Sequence, residues 1–270
     1  MPSLQNKCIP PGEYILMPEL PEVETIKRDL ELLVLNKTIV ETLVLLEKSL
    51  LNPMNIKIEG KIIKIQRIGK YIIIYFENFY LLIHLRMTGK LIYFNNSQDI
   101  IHKHTRIIFK FADSSVLIFN DIRTFGRIEC GSGSIHLEKL GIDALDIKNI
   151  ISSKKPIKLH LLNQSEIAGI GNIYAQEILF SAKISPLRLT QTLTNTEKEL
   201  LITKIKDILH EAIKENGTTI SDYRRIDNKS GNFQNFLKVY GKVSCPICEK
   251  KLTIIKQAGR TTRYCDSCQK

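Results

Sequence analysis

Four cysteines near the C-terminus, Cys245, Cys248, Cys265 and Cys268, form two Cys-x2-Cys pairs with sixteen residues between them. That spacing matches a closed tetrahedral zinc site better than disulfides. Two redox dithiols are the alternative, but such a motif sits at a strand-helix junction, and none adjoins these pairs. The four cysteines are therefore expected to hold one structural Zn2+, since four thiolates close the tetrahedron.

The rest of the 270-residue chain is long enough for two modest domains, and 43% hydrophobic residues allow each a core. The excess of basic over acidic residues gives a formal charge of +11, which favours an anionic partner without separating nucleic acid from a membrane surface. The distribution narrows this. Eight Lys or Arg face only Glu249 and Asp266 between Lys238 and Lys270, so more than half the excess lies in the cysteine-bearing segment. A phosphate-contacting finger follows. No apolar run approaches the length of a membrane span, and the first sixteen residues lack a basic region followed by an apolar one. A cytoplasmic protein is expected.

Val23, Ile26, Leu30 and Leu33 recur at helical spacing and predict an amphipathic helix over residues 20 to 35 that caps a sheet. From 61 to 129 the texture turns to short β-rich runs, Lys61 to Phe76, Tyr80 to Leu85, Arg106 to Phe111 and Val116 to Asn120, which suggest a β-sandwich. Residues 131–134 look like a loop, and Ile147 to Lys155 like a hinge. Beyond it Ile157 to Leu162, Ile173 to Phe180 and Thr196 to Lys214 have helical character. The fold class is α+β.

Met17-Pro18-Glu19-Leu20-Pro21-Glu22 has two readings. One is an ordinary helix start, with proline and acidic residues in the first turn. The other is chemical. A terminal Pro18 would offer a secondary amine far less basic than lysine; its adduct with a sugar C1′ would be an iminium with no N–H to lose, a good electron sink. Glu19 beside it would act as general acid or base.

Several separated motifs now converge: PELPEVET at 18–25, GKY at 69–71, HLRMTG at 84–89, DIRTFG at 121–126, AGIGNIYAQE at 168–177, Thr218-Thr219 with Asp222-Tyr223, and Gly259-Arg260-Thr261 in the finger. In this order they resemble the bacterial formamidopyrimidine-DNA glycosylases, from Met17 to Lys270. The resemblance implies a β-sandwich domain with a leading helix (17–146), a helix-two-turns-helix domain (147–237) and a zinc finger (238–270). It implies that Pro18 is a Schiff-base nucleophile, Glu19 the proton donor for glycosidic cleavage, Lys70 a group assisting β-elimination and Arg260 one assisting δ-elimination. Without it, Lys70 and Arg260 read as solvated surface charges. It further implies that Met87, Arg123 and Phe125 fill the gap left by a flipped nucleotide, with Arg123 donating to the orphaned cytosine. His104, Lys154, Lys158 and Asn172 match basic or polar DNA contacts, the Gly169-Ile170-Gly171-Asn172 turn matches a helix start that receives a phosphate, and residues Thr218 to Arg225 match a loop over the flipped base.

The expected activity is thus that of a monomeric bifunctional glycosylase and abasic-site lyase acting on oxidised purines in double-stranded DNA. Two rivals stand beside it: the sister type that removes oxidised pyrimidines, whose start usually reads Pro-Glu-Gly-Pro-Glu rather than carrying Leu20, and a non-catalytic zinc-containing DNA-binding protein. Asn163, Asn216-Gly217 and Arg263 depart from the usual family residues without touching the four expected catalytic positions. Residues 1–16 are the larger departure. They lock Pro18 inside a peptide bond and are expected to be absent from the active enzyme.

Overall fold

The computed structural model describes residues 17–96, 103–135, 137, 139–219, 226 and 230–270. Residues 1–16, and the segment expected to cover a flipped base beyond Thr219, lie outside the described residues.

Helix α1 (Leu20–Val34) opens the fold, and its Val23, Ile26, Leu30 and Val34 are all buried, as their spacing requires. Ten strands follow: β1 (Thr38–Val44), β2 (Leu50–Leu51), β3 (Gly60–Lys61), β4 (Lys64–Ile68), β5 (Tyr71–Tyr75), β6 (Tyr80–His84), β7 (Gly89–Phe94), β8 (Thr105–Phe111), β9 (Val116–Asp121) and β10 (Arg127–Gly131). They form two five-stranded sheets, ordered β3-β1-β8-β9-β7 and β2-β10-β6-β5-β4. One core lies between them: Ile107, Phe109, Leu117 and Phe119 from the first sheet meet Ile72, Ile74, Leu81 and Ile83 from the second, and α1 packs into the same cluster. This is the expected sandwich with its capping helix.

Strands β1, β2, β7 and β10 fall outside the four runs read from the sequence. Strand β1 carries a bulge between Ile39 and Glu41 that breaks the period-two pattern, and in β10 Arg127 and Glu129 point outward between buried Ile128 and Cys130. The run from Lys61 to Phe76 is not one strand. It folds back at Gly69-Lys70, with Ile68 facing Tyr71 across a two-residue turn. Gly69 has φ +56°, the positive value that the first turn position of a II′ hairpin demands.

The second unit holds β11 (Ile142–Asp143), paired in parallel with β12 (Ile167–Ala168), and helices α2 (Ile157–Leu162), α3 (Asn172–Ser181) and α4 (Asn195–Lys214). Its core joins Ile157, Leu161, Ile173, Tyr174, Ile178, Leu201, Ile205 and Leu209, and it takes in Ala144 and, from the stretch read as a hinge, Ile147 and Ile150. Leu20 of α1 belongs to this second core as well, so the first helix spans both units. Arg67 fastens the junction: its guanidinium reaches Glu24 of α1 at 2.9 Å, Asp143 of β11 at 2.6 Å and the Gly69 carbonyl at 2.9 Å. The turn that carries Lys70 is thereby fixed to both units.

The last unit is the hairpin β13 (Thr253–Gln257) and β14 (Arg260–Tyr264). Ala258 and Gly259 both have positive φ, the I′ turn that matches strand twist, and Arg260 follows directly.

Candidate active site

Glu19 is buried, and its carboxylate sits at the start of α3. It accepts the backbone N–H groups of Gly171 at 2.7 Å, Ile173 at 2.9 Å and Tyr174 at 3.4 Å. The expectation for Gly169 to Asn172 is corrected here. The amides that would receive a phosphate are already taken by a side chain of the same protein, because an ionised carboxylate meets the same free N–H groups and dipole. Gly171 is sterically required: a Cβ there would lie 2.3 Å from the Glu19 carboxyl carbon. Burial pushes the Glu19 pKa up, opposed by Lys70 and by the three amides. A carboxyl so held keeps a proton more readily than a solvated one, which suits a general acid.

Pro18 is buried, and its neighbours Met17 and Glu19 line one cavity of about 280 Å³ with Lys70 and Arg260. Lys70 is not a solvated charge. Only 7% exposed, it donates to the Ile170 carbonyl at 3.1 Å, and burial lowers its pKa, with Glu19 opposing and Arg260 adding to the fall. Arg260 is exposed at the hairpin tip and leans over the same cavity. The sandwich, the helical unit and the finger each supply part of this wall.

Lys158, expected as a basic DNA contact, is fully buried instead. Its ammonium donates to Asn172 Oδ1 at 2.8 Å and Thr262 Oγ1 at 2.5 Å, and burial followed by the nearby Arg260 depresses its pKa to about 7. Asn172 turns its amide nitrogen to the Thr261 carbonyl at 3.2 Å. Both residues therefore brace the finger against α3. Gln176 does the same, accepting from the Arg263 N–H at 2.6 Å, and buried Glu177 accepts the N–H groups of Lys238, Val239 and Tyr240. Lys154 is exposed ahead of α2, and His104 lies half-buried one residue before β8.

Met87, Arg123 and Phe125 come together on two neighbouring loops. The buried Asp121 carboxylate bonds Thr88 Oγ1, and Thr88 Oγ1 and Asp121 both accept the Arg123 N–H, tying the loop after β6 to the loop after β9. Arg86 and Thr124 both adopt positive φ, a left-handed conformation that non-glycine residues enter at a cost and that sharpens each loop. Phe125 is 49% exposed and carries the Arg123 guanidinium 4.9 Å from its ring centre. Neither Phe125 nor half-buried Met87 serves as core.

Sequence reasoning gave no role to Glu22, Tyr174, Gln164 or His84. Gln164 donates to the Ile170 carbonyl at 2.8 Å and accepts the Gly169 N–H at 2.9 Å, shaping the turn that feeds Glu19. His84 accepts the Arg86 N–H through Nδ1, and burial, then Arg86 and Lys70, drive its pKa down to about 3. For Glu22 and Tyr174 the signal was present inside quoted motifs.

The four finger cysteines place every Sγ within 4.8 Å of the others, and Cys245 and Cys268 are 3.8 Å apart. A tetrahedral Zn–S site requires a separation of about 3.8 Å, so the donor set fits one zinc ion held by four thiolates with no open position.

Residues 17–128 match the model of the formamidopyrimidine-DNA glycosylase N-terminal domain, and residues 137–224 that of the formamidopyrimidine-DNA glycosylase H2TH domain. The chain is 41% identical to the formamidopyrimidine-DNA glycosylase of Wolbachia pipientis subsp. Culex pipiens and 42% identical to that of Carboxydothermus hydrogenoformans, covering 94% of this chain and 100% of each relative. A Lactococcus lactis FPG variant in complex with DNA containing Fapy-dG superposes with a TM-score of 0.83 at 35% identity, over 93% of this chain and 99% of that one. The wild-type Lactococcus lactis FPG bound to DNA containing an oxidised pyrimidine gives 0.82 at 34% identity, with the same coverage. This chain belongs to the formamidopyrimidine-DNA glycosylase family of DNA-repair enzymes.

Proposed function

We propose that the protein excises oxidised purines, 8-oxoguanine and formamidopyrimidines, from duplex DNA and then cleaves the strand. The observation that carries this reading is that Glu19, the residue after Pro18, lines one cavity together with Lys70 and Arg260. Pro18, as a free amine, attacks C1′ of the damaged nucleotide while Glu19 delivers a proton to the departing base. The resulting iminium acidifies C2′. Loss of that proton expels the 3′ phosphate, and a second elimination expels the 5′ phosphate, leaving a one-nucleotide gap. Lys70 and Arg260 stabilise the charge on the leaving phosphates. The finger cysteines hold zinc, whose chemistry here is to close the fold of the hairpin that presents Arg260. Residues 1–16 are absent from the active form, and the protein acts as a monomer.

The oxidised-pyrimidine reading stays in view because of the Lactococcus lactis FPG complex described above. Incubating a chain that starts at Pro18 with 8-oxoguanine opposite cytosine, and separately with thymine glycol opposite adenine, in borohydride separates the readings. The first duplex is expected to give the faster covalent adduct. A faster adduct with the second moves the substrate class to pyrimidines, and no adduct with either leaves a DNA-binding protein without this chemistry.

Arg123 is placed to donate to the base left opposite the lesion. Arg123→Ala is expected to reduce the preference for cytosine over adenine opposite the lesion by about tenfold, since paired base-edge hydrogen bonds carry that discrimination. Affinity for undamaged duplex should change no more than about twofold, because phosphate contacts are untouched. Equal losses against all four opposing bases would assign Arg123 to the backbone instead.

A further inference from the structure

We propose that the phenol of Tyr174 is a positioning group for the reaction, holding the Pro18–Glu19 backbone in place through the carboxylate of Glu22. The proposal rests on the roles given above to Pro18 and Glu19.

Tyr174 lies in the first turn of α3, fully buried, and bonds both carboxylates of the α1 start. Its backbone N–H points to Glu19 Oε2 at 3.4 Å, and its phenol donates to Glu22 Oε1 at 2.6 Å. The same Glu22 oxygen accepts the Thr218 N–H at 2.7 Å, and the other oxygen accepts the Glu19 N–H at 2.8 Å. The phenol oxygen lies 3.0 Å from Thr218 Oγ1. Glu22 thus accepts from two segments remote in sequence and from its own, and the donor on its own segment is the peptide between the nucleophile and its acid. Gly217, with φ +78°, allows this approach, since a Cβ there would lie 2.9 Å from the Glu22 carboxylate. A phenol that fixes the carboxylate fixes the peptide on its far side, and a small misplacement of a nucleophile costs rate out of proportion to its size.

Among the described residues, the charged and titratable groups around Glu22 are Glu19 on its own segment, Tyr174 from α3 and Lys70 from the β4–β5 turn; residues 217–219 bring only an amide and hydroxyls. Burial, then Glu19, raises the Glu22 pKa to about 7, and the phenol's hydrogen bond opposes that rise. Removing the phenol should therefore let Glu22 take up a proton at higher pH, leaving one acceptor fewer for its two remaining donors.

Tyr174→Phe tests this because it removes one oxygen and keeps the ring that packs 5.7 Å from Phe233. Single-turnover excision of 8-oxoguanine, and borohydride trapping at a preformed abasic site, should each slow about tenfold per active molecule. The Kd for a duplex with a tetrahydrofuran abasic analogue should stay within about twofold, and the acid limb of the rate profile should move to higher pH. Glu22→Gln, which swaps an acceptor for a donor, should slow both steps further at the same Kd. Unchanged rate constants in both variants overturn the proposal. So does a loss confined to the active fraction, or one matched by a rise in Kd, which marks a merely structural residue. If the unaltered protein itself forms no adduct, the parent reading fails first and takes this one with it.

Discussion

A protein made from Met1 with Met17→Ala gives no borohydride-trapped adduct, whereas a protein started at Met17 gives an adduct whose amino-terminal residue is proline. This is the expected outcome of a paired experiment, and the difference should exceed about a hundredfold, because an amide nitrogen is not a nucleophile at all. Its lone pair is delocalised into the carbonyl, and a proline amide has no hydrogen to give up. Met1-Pro2 offers a second terminal proline, but Ser3 follows it where the chemistry asks for Glu. The match to the family N-terminal domain begins at residue 17, and the relatives matched along their whole length cover 94% of this chain. Methionine removal from an initiation at Met17 would expose Pro18 without a dedicated protease. Efficient trapping by a chain verified to retain residues 1–16 would sink both the maturation step and the role of Pro18.

Stripping the metal should be nearly as severe. The finger's own hydrophobic cluster is small, Phe180, Val239, Cys245, Leu252 and Cys265, and two of its five members are metal-site cysteines. With zinc bound as proposed, such a unit would draw roughly 10 kcal/mol or more of its folding free energy from the metal. Its loss would release β14 from Lys158, Asn172 and Gln176, and with it Arg260. Strand cleavage should fall by about a hundredfold or more, and duplex affinity should fall with a reduced salt slope, since the segment carries a large part of the phosphate-neutralising charge. The sandwich and the helical unit have their own cores and should keep their thermal transitions. Full nicking by a demetallated protein, with metal content checked by mass spectrometry, would remove the finger from the mechanism.

The sequence was readable where one element carries its own signal. The α1 face, the two longer helical stretches, Ile173 to Phe180 and Thr196 to Lys214, and the cysteine pairs each repeat at a spacing that physics ties to one structure. It was less readable where a contact spans the chain. The N–H groups at the start of α3 announce that an anion belongs there, but whether that anion is a phosphate or Glu19, more than 150 residues away, is decided only by folding. Lys158 sits in a six-residue helix too short to show a periodicity, so nothing marked it as buried. In the sequence Tyr174 stands only as part of AGIGNIYAQE, and the partner of its phenol became visible only beside Glu22. In β1 a bulge disguised a central strand, and at Gly69-Lys70 a tight turn hid within a continuous β-rich run.

The grip of α3 on Glu19 reaches beyond acid strength. Chain ends ordinarily fray on the nanosecond scale, and a reactive amine on a free end would sample many directions before meeting its target. Glu19 is clamped by three amides and the Leu20 N–H is bonded to the Gly169 carbonyl at 3.0 Å, so the two residues behind Pro18 are both tied to the turn and helix start at 169–174. For the free Pro18 amine proposed above, the search that an untethered amine would make would be completed during folding, before any DNA arrives, keeping its orientational entropy out of the barrier to attack. The amides of Gly171 and Ile173 should accordingly rank among the slowest in the protein to exchange with deuterium, an unusual kinetic signature for groups packed against a chain end.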